Sequence, residues 1–248
     1  MTTRCHRVAQ LTDLHLTADR GERLRGIDVD ASARAVIDAL RAWRPDLIVA
    51  TGDLTERGED EAYAHLDELC GPLDAPVHVL LGNHDDPGAF ERAQSRALRR
   101  TSHTTLGAWQ LHFLDSWLYD SPAGRVGEAR LDTLKQTLHT GPAIVFVHHQ
   151  PVPVESTWID AMGLLDGTEL VDAIGLRSAP SVLCCGHVHQ AVAGWTRGLR
   201  WLTTPSTCNQ AIPFRRTHEP DELRGPGFRW LELYDDGRWE TGLQRLTL

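Results

Sequence analysis

No apolar run in this 248-residue chain approaches the roughly 18 to 20 residues needed to span a bilayer, so a membrane partner is not expected. The opening Met1-Thr2-Thr3-Arg4-Cys5-His6 leads straight into a strand pattern and lacks the apolar segment of a signal peptide, which makes the cytoplasm the expected address. Positive charge is also short: 25 Lys and Arg stand against 34 Asp and Glu, a formal net charge of -9. A polymeric nucleic acid is gripped through a basic face, so that class of partner is not expected either. Five cysteines at 5, 70, 184, 185 and 208 show neither CxxC pairs nor the density of a disulfide scaffold, and read as reduced, mostly buried thiols, with Cys208 a candidate for lining a site. Repeats, low-complexity tracts and linkers are absent too, which predicts a single domain over residues 1–248.

What is present is a set of short apolar or β-branched runs at 8–12, 46–51, 77–81, 143–147 and 181–185, each of strand length. Every run ends at a polar block: Asp13-Leu14-His15, Gly52-Asp53, Gly82-Asn83-His84-Asp85, His148-His149 and Gly186-His187-Val188-His189. In open α/β sheets, ligands bind beyond the carboxyl ends of the strands, where a buried sheet fixes the backbone and the loops expose side chains. Five strands delivering His, Asp and Asn to one end gather residues almost 180 positions apart into one pocket. Each block alone is common; all five together, in order and at strand ends, are not.

Between the strands, 28–43 has apolar residues at Ala31, Ala35, Val36, Ala39 and Leu40 with Pro45 beyond, the spacing of an amphipathic helix. The same reasoning predicts helices over 59–70, 87–98 and 128–138, with the Arg-rich 96–100 as a solvated helix end, and a strand over 109–116. Alternation over 199–204, 228–234 and 239–246, the last two around the turn Asp235-Asp236-Gly237, predicts antiparallel strands and hence a mixed sheet. Two long loops, 150–167 and 212–227, are expected to hang near the ligand end as lids or mobile surface.

The residue types suit a pair of metal ions. A carboxylate such as Asp53 has two oxygens and can bridge two cations, offsetting much of their repulsion at a separation of roughly 3.5 to 4 Å. Imidazoles and an amide oxygen complete the shells, and a set without thiolate favours Mn, Fe or Zn over Cu or a structural Cys-zinc site.

These blocks resemble the signature of the calcineurin-like metallophosphoesterase superfamily, over most of the chain from Val8 to about Gln210. Leu183-Cys184-Cys185-Gly186-His187-Val188-His189-Gln190 with Thr204-Pro205-Ser206-Thr207-Cys208-Asn209-Gln210 is similar to the bacterial class III cyclic nucleotide phosphodiesterases. The resemblance implies an α/β fold, a four-layer α-β-β-α sandwich with mixed sheets. It implies two divalent or mixed-valence ions, Fe and/or Mn with Zn as an option. One would be held by Asp13, His15, Asp53 and His189, the other by Asp53, Asn83, His148 and His187. Asn83 and His84 would contact the substrate phosphate, His84 would protonate the leaving oxygen, and Asp85 would orient it. The reaction implied is hydrolysis of a 3′,5′-cyclic nucleotide, cyclic AMP first, by a hydroxide held between the ions, in a monomer or homodimer. Other phosphodiester or phosphatase specificities on the same centre, glycerophosphodiesters included, stay open because loops set substrate choice. His149, Thr207, Asn209 and Gln210 are candidate substrate contacts, and Trp158 is a candidate for stacking on a purine. His6, His65, His78, His103, His112, His139 and His218 read as surface or packing residues.

Overall fold

The computed structural model describes residues 3–175 and 177–247. Its first half runs β1 (Cys5–Leu11), a small hairpin of β2 (Arg23–Leu24) and β3 (Ile27–Asp28), α1 (Val29–Trp43), β4 (Leu47–Thr51), α2 (Asp60–Cys70), β5 (Val77–Leu80), α3 (Pro87–Arg92) and β6 (Leu98–Arg99). The second half runs β7 (His103–Leu106), β8 (Trp109–Leu114), α4 (Glu128–Thr137), β9 (Ala143–Val147), α5 (Thr157–Asp160), α6 (Gly167–Ile174), β10 (Ser181–Cys185), β11 (Ala193–Thr196), β12 (Leu199–Thr203), β13 (Gly227–Tyr234) and β14 (Trp239–Arg245).

Two six-stranded sheets result, ordered β14-β13-β1-β4-β5-β6 and β11-β12-β10-β9-β8-β7. Each has a parallel centre and antiparallel strands toward an edge, so both are mixed. The period-two alternation of side chains decides the layering. Val8, Leu47 and Val49 of the first sheet meet Ile144, Phe146, Val182 and Cys184 of the second in a shared core. Their neighbours Ala9, Ile48 and Ala50 turn the other way, into a cluster with Val36 and Leu40 of α1 and Leu66 of α2. Val145, Val147, Leu183 and Cys185 likewise pack with Leu131 and Leu134 of α4 and Leu170 of α6. The layers are therefore helix, sheet, sheet, helix. Each buried Val, Leu or Ile contributes about 1.5–3 kcal/mol, and strands apolar on both faces explain why the five runs look continuous rather than alternating.

Helix α1 starts where Asp28 caps it, its carboxylate accepting from Ala31 N at 2.9 Å, and stops at Arg44, in the left-handed region at φ 56. Three expectations need correction. The helix expected over 87–98 ends at Arg92: Gln94 is left-handed (φ 47), and Asp67 of α2 captures the Arg96 and Ala97 amides at 2.9 and 2.8 Å. Arg99 consequently sits on β6, paired in parallel with β5, and is not part of a helix end. β12 runs parallel to β10 and antiparallel only to β11, because a tight turn with positive φ at Arg197 (46) and Gly198 (78) folds β11 back on it. The 150–167 segment contains α5, and α6 follows without having been anticipated.

His112 of β8 is 2% exposed and faces α4, its ring stacked against His103 with centroids 6.0 Å apart. Burial, then the charge of His103 and Arg177, push its pKa down to about 4. A histidine depressed below its unfolded value near 6.5 contributes stability that is complete above that value and is lost as pH falls toward 4. Urea-unfolding midpoints are expected to drop across that window, and His112→Gln to flatten the slope; an identical slope in the variant would contradict the assignment.

Candidate metal centre

The five polar blocks emerge at the carboxyl ends of β1, β4, β5, β9 and β10, and the ladder between β1 and β4 continues past both strands. Asp13 N bonds Gly52 O and His15 N bonds Asp53 O, each at 3.0 Å. Around the cluster the chain adopts conformations that L-residues avoid: Asp13 (φ 53), His15 (φ 52), Asp53 (φ 47), His187 (φ 67) and His189 (φ 52) are all left-handed. Each costs about 1–2 kcal/mol, and such strain gathers where side-chain placement matters more than backbone comfort. Gly82 is required for a different reason. A β-carbon there would fall on Asp53 Oδ1 and His148 Nε2, so only glycine lets the β5 loop close against the β4 loop.

Asp13, His15, Asp53 and His189 each offer one atom, all within 4.8 Å of one another. His189 Nε2 is 3.4 Å from Asp13 Oδ1, and His15 Nε2 is 3.8 Å from Asp53 Oδ2. On the other side of Asp53, His148 Nε2 lies 3.3 Å from Asp53 Oδ1 and 3.3 Å from Asn83 Oδ1. One oxygen of Asp53 thus faces each group. His187 stands beside His148, ring centroids 5.1 Å apart, and its Nε2 is buried without a partner. His187 N meets both Asp13 oxygens at 3.1 Å. The seven expected ligands are brought together.

The imidazoles are oriented as donors to a cation require. His148 Nδ1 donates to Thr51 O at 2.7 Å, His15 Nδ1 to the Glu56 carboxylate at 2.7 Å, and His189 Nδ1 to Asn209 O at 2.8 Å. In each ring this leaves Nε2 toward the cluster, and an outer acceptor of this kind fixes both tautomer and ring plane. Together with the orphaned Nε2 of His187, this donor set of carboxylate, amide and imidazole fits two first-row cations. Burial opposes the Asp53 charge, yet the imidazoles of His148, His15 and His84 outweigh it and hold the carboxyl well below its usual range. Burial and then the field of His148 push His187 down to about 3, which keeps its ring neutral and able to coordinate.

His84, 38% exposed at its side chain, donates from Nδ1 to Glu56 O at 2.9 Å, with the Glu56 carboxylate 3.7 Å away. Burial lowers its pKa, but Asp53 and Glu56 prevail and raise it, favouring the protonated ring. Asp85 does not orient it as expected. Its carboxyl is buried and accepts from Leu54 N, Thr55 N, Gly82 N and Tyr63 OH at 2.8 to 3.2 Å, tying the β4 and β5 loops together. Burial and then Asp53 lift it to about 6. The orienting residue is Glu56, which the sequence reading missed; its only signal was a carboxylate three positions past Asp53.

A cavity of about 260 Å³ opens over the centre. His15, Asp53, Asn83, His84, His187 and His189 line it, together with Trp158, Ile159 and Met162 of the 150–167 segment. Arg25 from the β2–β3 turn clasps His218 from the 212–227 segment at 2.8 Å, and both line the mouth. His218 is therefore a cavity residue and not surface or packing, and Arg25 was missed because its loop carries no motif. Of the candidate substrate contacts, Asn83, His84 and Asn209 line the cavity. His149, Thr207 and Gln210 do not: all three are buried, His149 Nδ1 is 2.7 Å from Ser116 Oγ, and the Gln210 amide donates to Ser206 O and accepts from Arg245. His149 instead packs with His148 and His187, each offering an atom within 4.8 Å of the others. Cys208 is buried and does not line this cavity.

The profile of the calcineurin-like phosphoesterases matches residues 6–191. A 3′,5′-cyclic adenosine monophosphate phosphodiesterase of Pseudomonas aeruginosa is 35% identical over 244 residues, covering 96% of this chain and 89% of that protein. A 3′,5′-cyclic-nucleotide phosphodiesterase of a Nostoc species is 34% identical over 246 residues, covering 96% of this chain and 92% of its own. Among solved structures, a dimetal phosphatase from Danio rerio superposes with TM-score 0.66 at 13% identity, covering 98% of this chain and 99% of that one, a likeness of fold.

Proposed function

This chain belongs to the calcineurin-like phosphoesterase family, and from that membership we propose that it hydrolyses 3′,5′-cyclic nucleotides, cyclic AMP foremost, to 5′-nucleotides at a two-metal centre. The observation that carries the reading is Asp53, with Oδ2 toward His15 and Oδ1 toward His148, a carboxylate shared between two donor groups. Asp13, His15, Asp53 and His189 would hold one ion, and Asp53, Asn83, His148 and His187 the other. When bound, such a pair supplies an acidified water and charge neutralisation at the phosphate. Oxygen and imidazole donors without thiolate favour Fe or Mn, with Zn as an option.

The chain's own groups account for the rest. His84, held through Nδ1 by Glu56 O, keeps Nε2 as its proton-bearing atom, and its raised pKa suits it to protonate the ribose 3′ oxygen as the P–O bond breaks. Trp158, Ile159 and Met162 offer the flat apolar wall that a purine needs, and the Arg25–His218 pair closes the mouth over it. The cyclic nucleotide phosphodiesterase activities of the relatives support the cyclic substrate. We read residues 1–248 as one domain working in the cytoplasm. That reading is supported by five free cysteines and by the lack, among the described residues, of a helix long and apolar enough to cross a membrane.

The test is purified, metal-analysed protein assayed side by side on cyclic AMP, cyclic GMP and bis(p-nitrophenyl) phosphate. Two metal equivalents per chain and the highest kcat/KM on cyclic AMP are expected. Metal-loaded protein that turns over the linear diester and leaves cyclic AMP intact would overturn the substrate assignment while sparing the metal centre.

A further inference from the structure

On the far face of the second sheet, β8, the 100–103 segment and α4 enclose a groove of about 270 Å³, as large as the catalytic cavity and sharing no lining residue with it. In a chain with net charge -9, this groove collects Arg100, Arg130, His103 and His112, with the hydroxyls of Ser102 and Thr133. Asp115 is its single acidic lining residue, and Arg100 is already committed on both sides, to Asp115 at 2.6 Å and to Glu91 at 3.2 Å. Among the described residues the Arg130 guanidinium makes no ion pair; it donates to the backbone oxygen of Val126, one turn back, at 3.1 Å.

His112 adds an independent sign. It lines the groove at 2% exposure, and its Nε2 is buried with no hydrogen-bond partner among the described residues. Leaving such an atom unpaired costs about 1–3 kcal/mol. Burial keeps the ring neutral, so it can donate one N–H without adding charge. Phe113, Leu114 and Leu134 supply its apolar lining, and Thr101 and Thr137 add two further hydroxyls.

We propose that this groove is a second binding site, for a small organic anion with a phosphate, phosphonate or carboxylate head and a compact apolar body. The head pairs with Arg130, while the body lies over Leu114 and Leu134. The Arg130 guanidinium, which no carboxylate among the described residues engages, selects an anion over a cation, and charge-assisted bonds to it supply the affinity. Occupancy bears on the catalytic end through Asp115, whose Oδ1 also accepts from Leu81 N at 3.1 Å, immediately before Gly82-Asn83-His84.

Phenylphosphonate is a suitable probe because it has the required head and body and no ester to hydrolyse. Calorimetric titration of Asp53→Asn protein, whose metal centre is impaired, is expected to show one equivalent bound, separating this site from the catalytic one. Combining Asp53→Asn with Arg130→Ala, or with Thr133→Trp to fill the groove, is expected to weaken that binding roughly tenfold or more. Both substituted positions are exposed, so folding is spared. Absence of binding by the Asp53→Asn protein at millimolar probe, or binding that neither second substitution alters, would overturn the proposal whatever becomes of the cyclic nucleotide reading.

Discussion

Asp53→Asn is expected to lower turnover of cyclic AMP by roughly a thousandfold or more and to leave the protein short of its full metal complement. The side chain keeps its size but loses the charge that both donor groups share. Two-metal stabilisation supplies several kcal/mol to the transition state, and each 1.36 kcal/mol lost is a factor of ten. Asn at 53 also puts an amide nitrogen where Oδ1 now accepts from His84 N at 2.9 Å or where Oδ2 faces His15, so the damage spreads to the loop carrying His84. Elemental analysis of the purified variant beside its kinetics is the check. Full occupancy with unchanged turnover would remove Asp53 from the reaction.

His84→Ala is expected to lower cyclic AMP turnover by about 10²–10⁴, the usual worth of a positioned general acid, with metal content intact. The ring is 38% exposed and makes one bond, to Glu56 O, so truncation costs the fold little. The two substrates separate its roles. A ribose alkoxide leaves poorly unless protonated, whereas nitrophenolate leaves readily as an anion, so bis(p-nitrophenyl) phosphate should lose far less. Equal losses on both would assign His84 to gripping the phosphate instead of donating a proton.

Much of this site was legible because its residues announce themselves locally. Gly82 and Gly186 precede side chains that must turn sharply, and the runs before them are apolar on both faces because each sheet is covered on both sides. The five polar blocks were therefore legible from strand ends, while the choice of seven ligands within them came from the family resemblance. What escaped was whatever long-range contact decides. Asp67 of α2 ends α3 by taking two amides some 30 residues away, which no spacing within 87–98 records. β12 alternates like an antiparallel strand, but alternation carries no direction, and its parallel pairing with β10 follows from the turn at Arg197-Gly198. Glu56, Arg25 and His218 lie on loops whose importance exists only once the chain folds them around the cavity, and Asp85, adjacent to His84 in sequence, turns its carboxyl away into the scaffold.

The left-handed backbone at Asp13, His15, Asp53, His187 and His189 carries a consequence for engineering. Glycine at any of these positions relieves strain, so heat-selected libraries will favour substitutions that erase the very side chains the fold bends itself to present. Thermostability and competence pull in opposite directions at these five sites, and any improvement campaign should hold them constant and look for its gains in the outer helices.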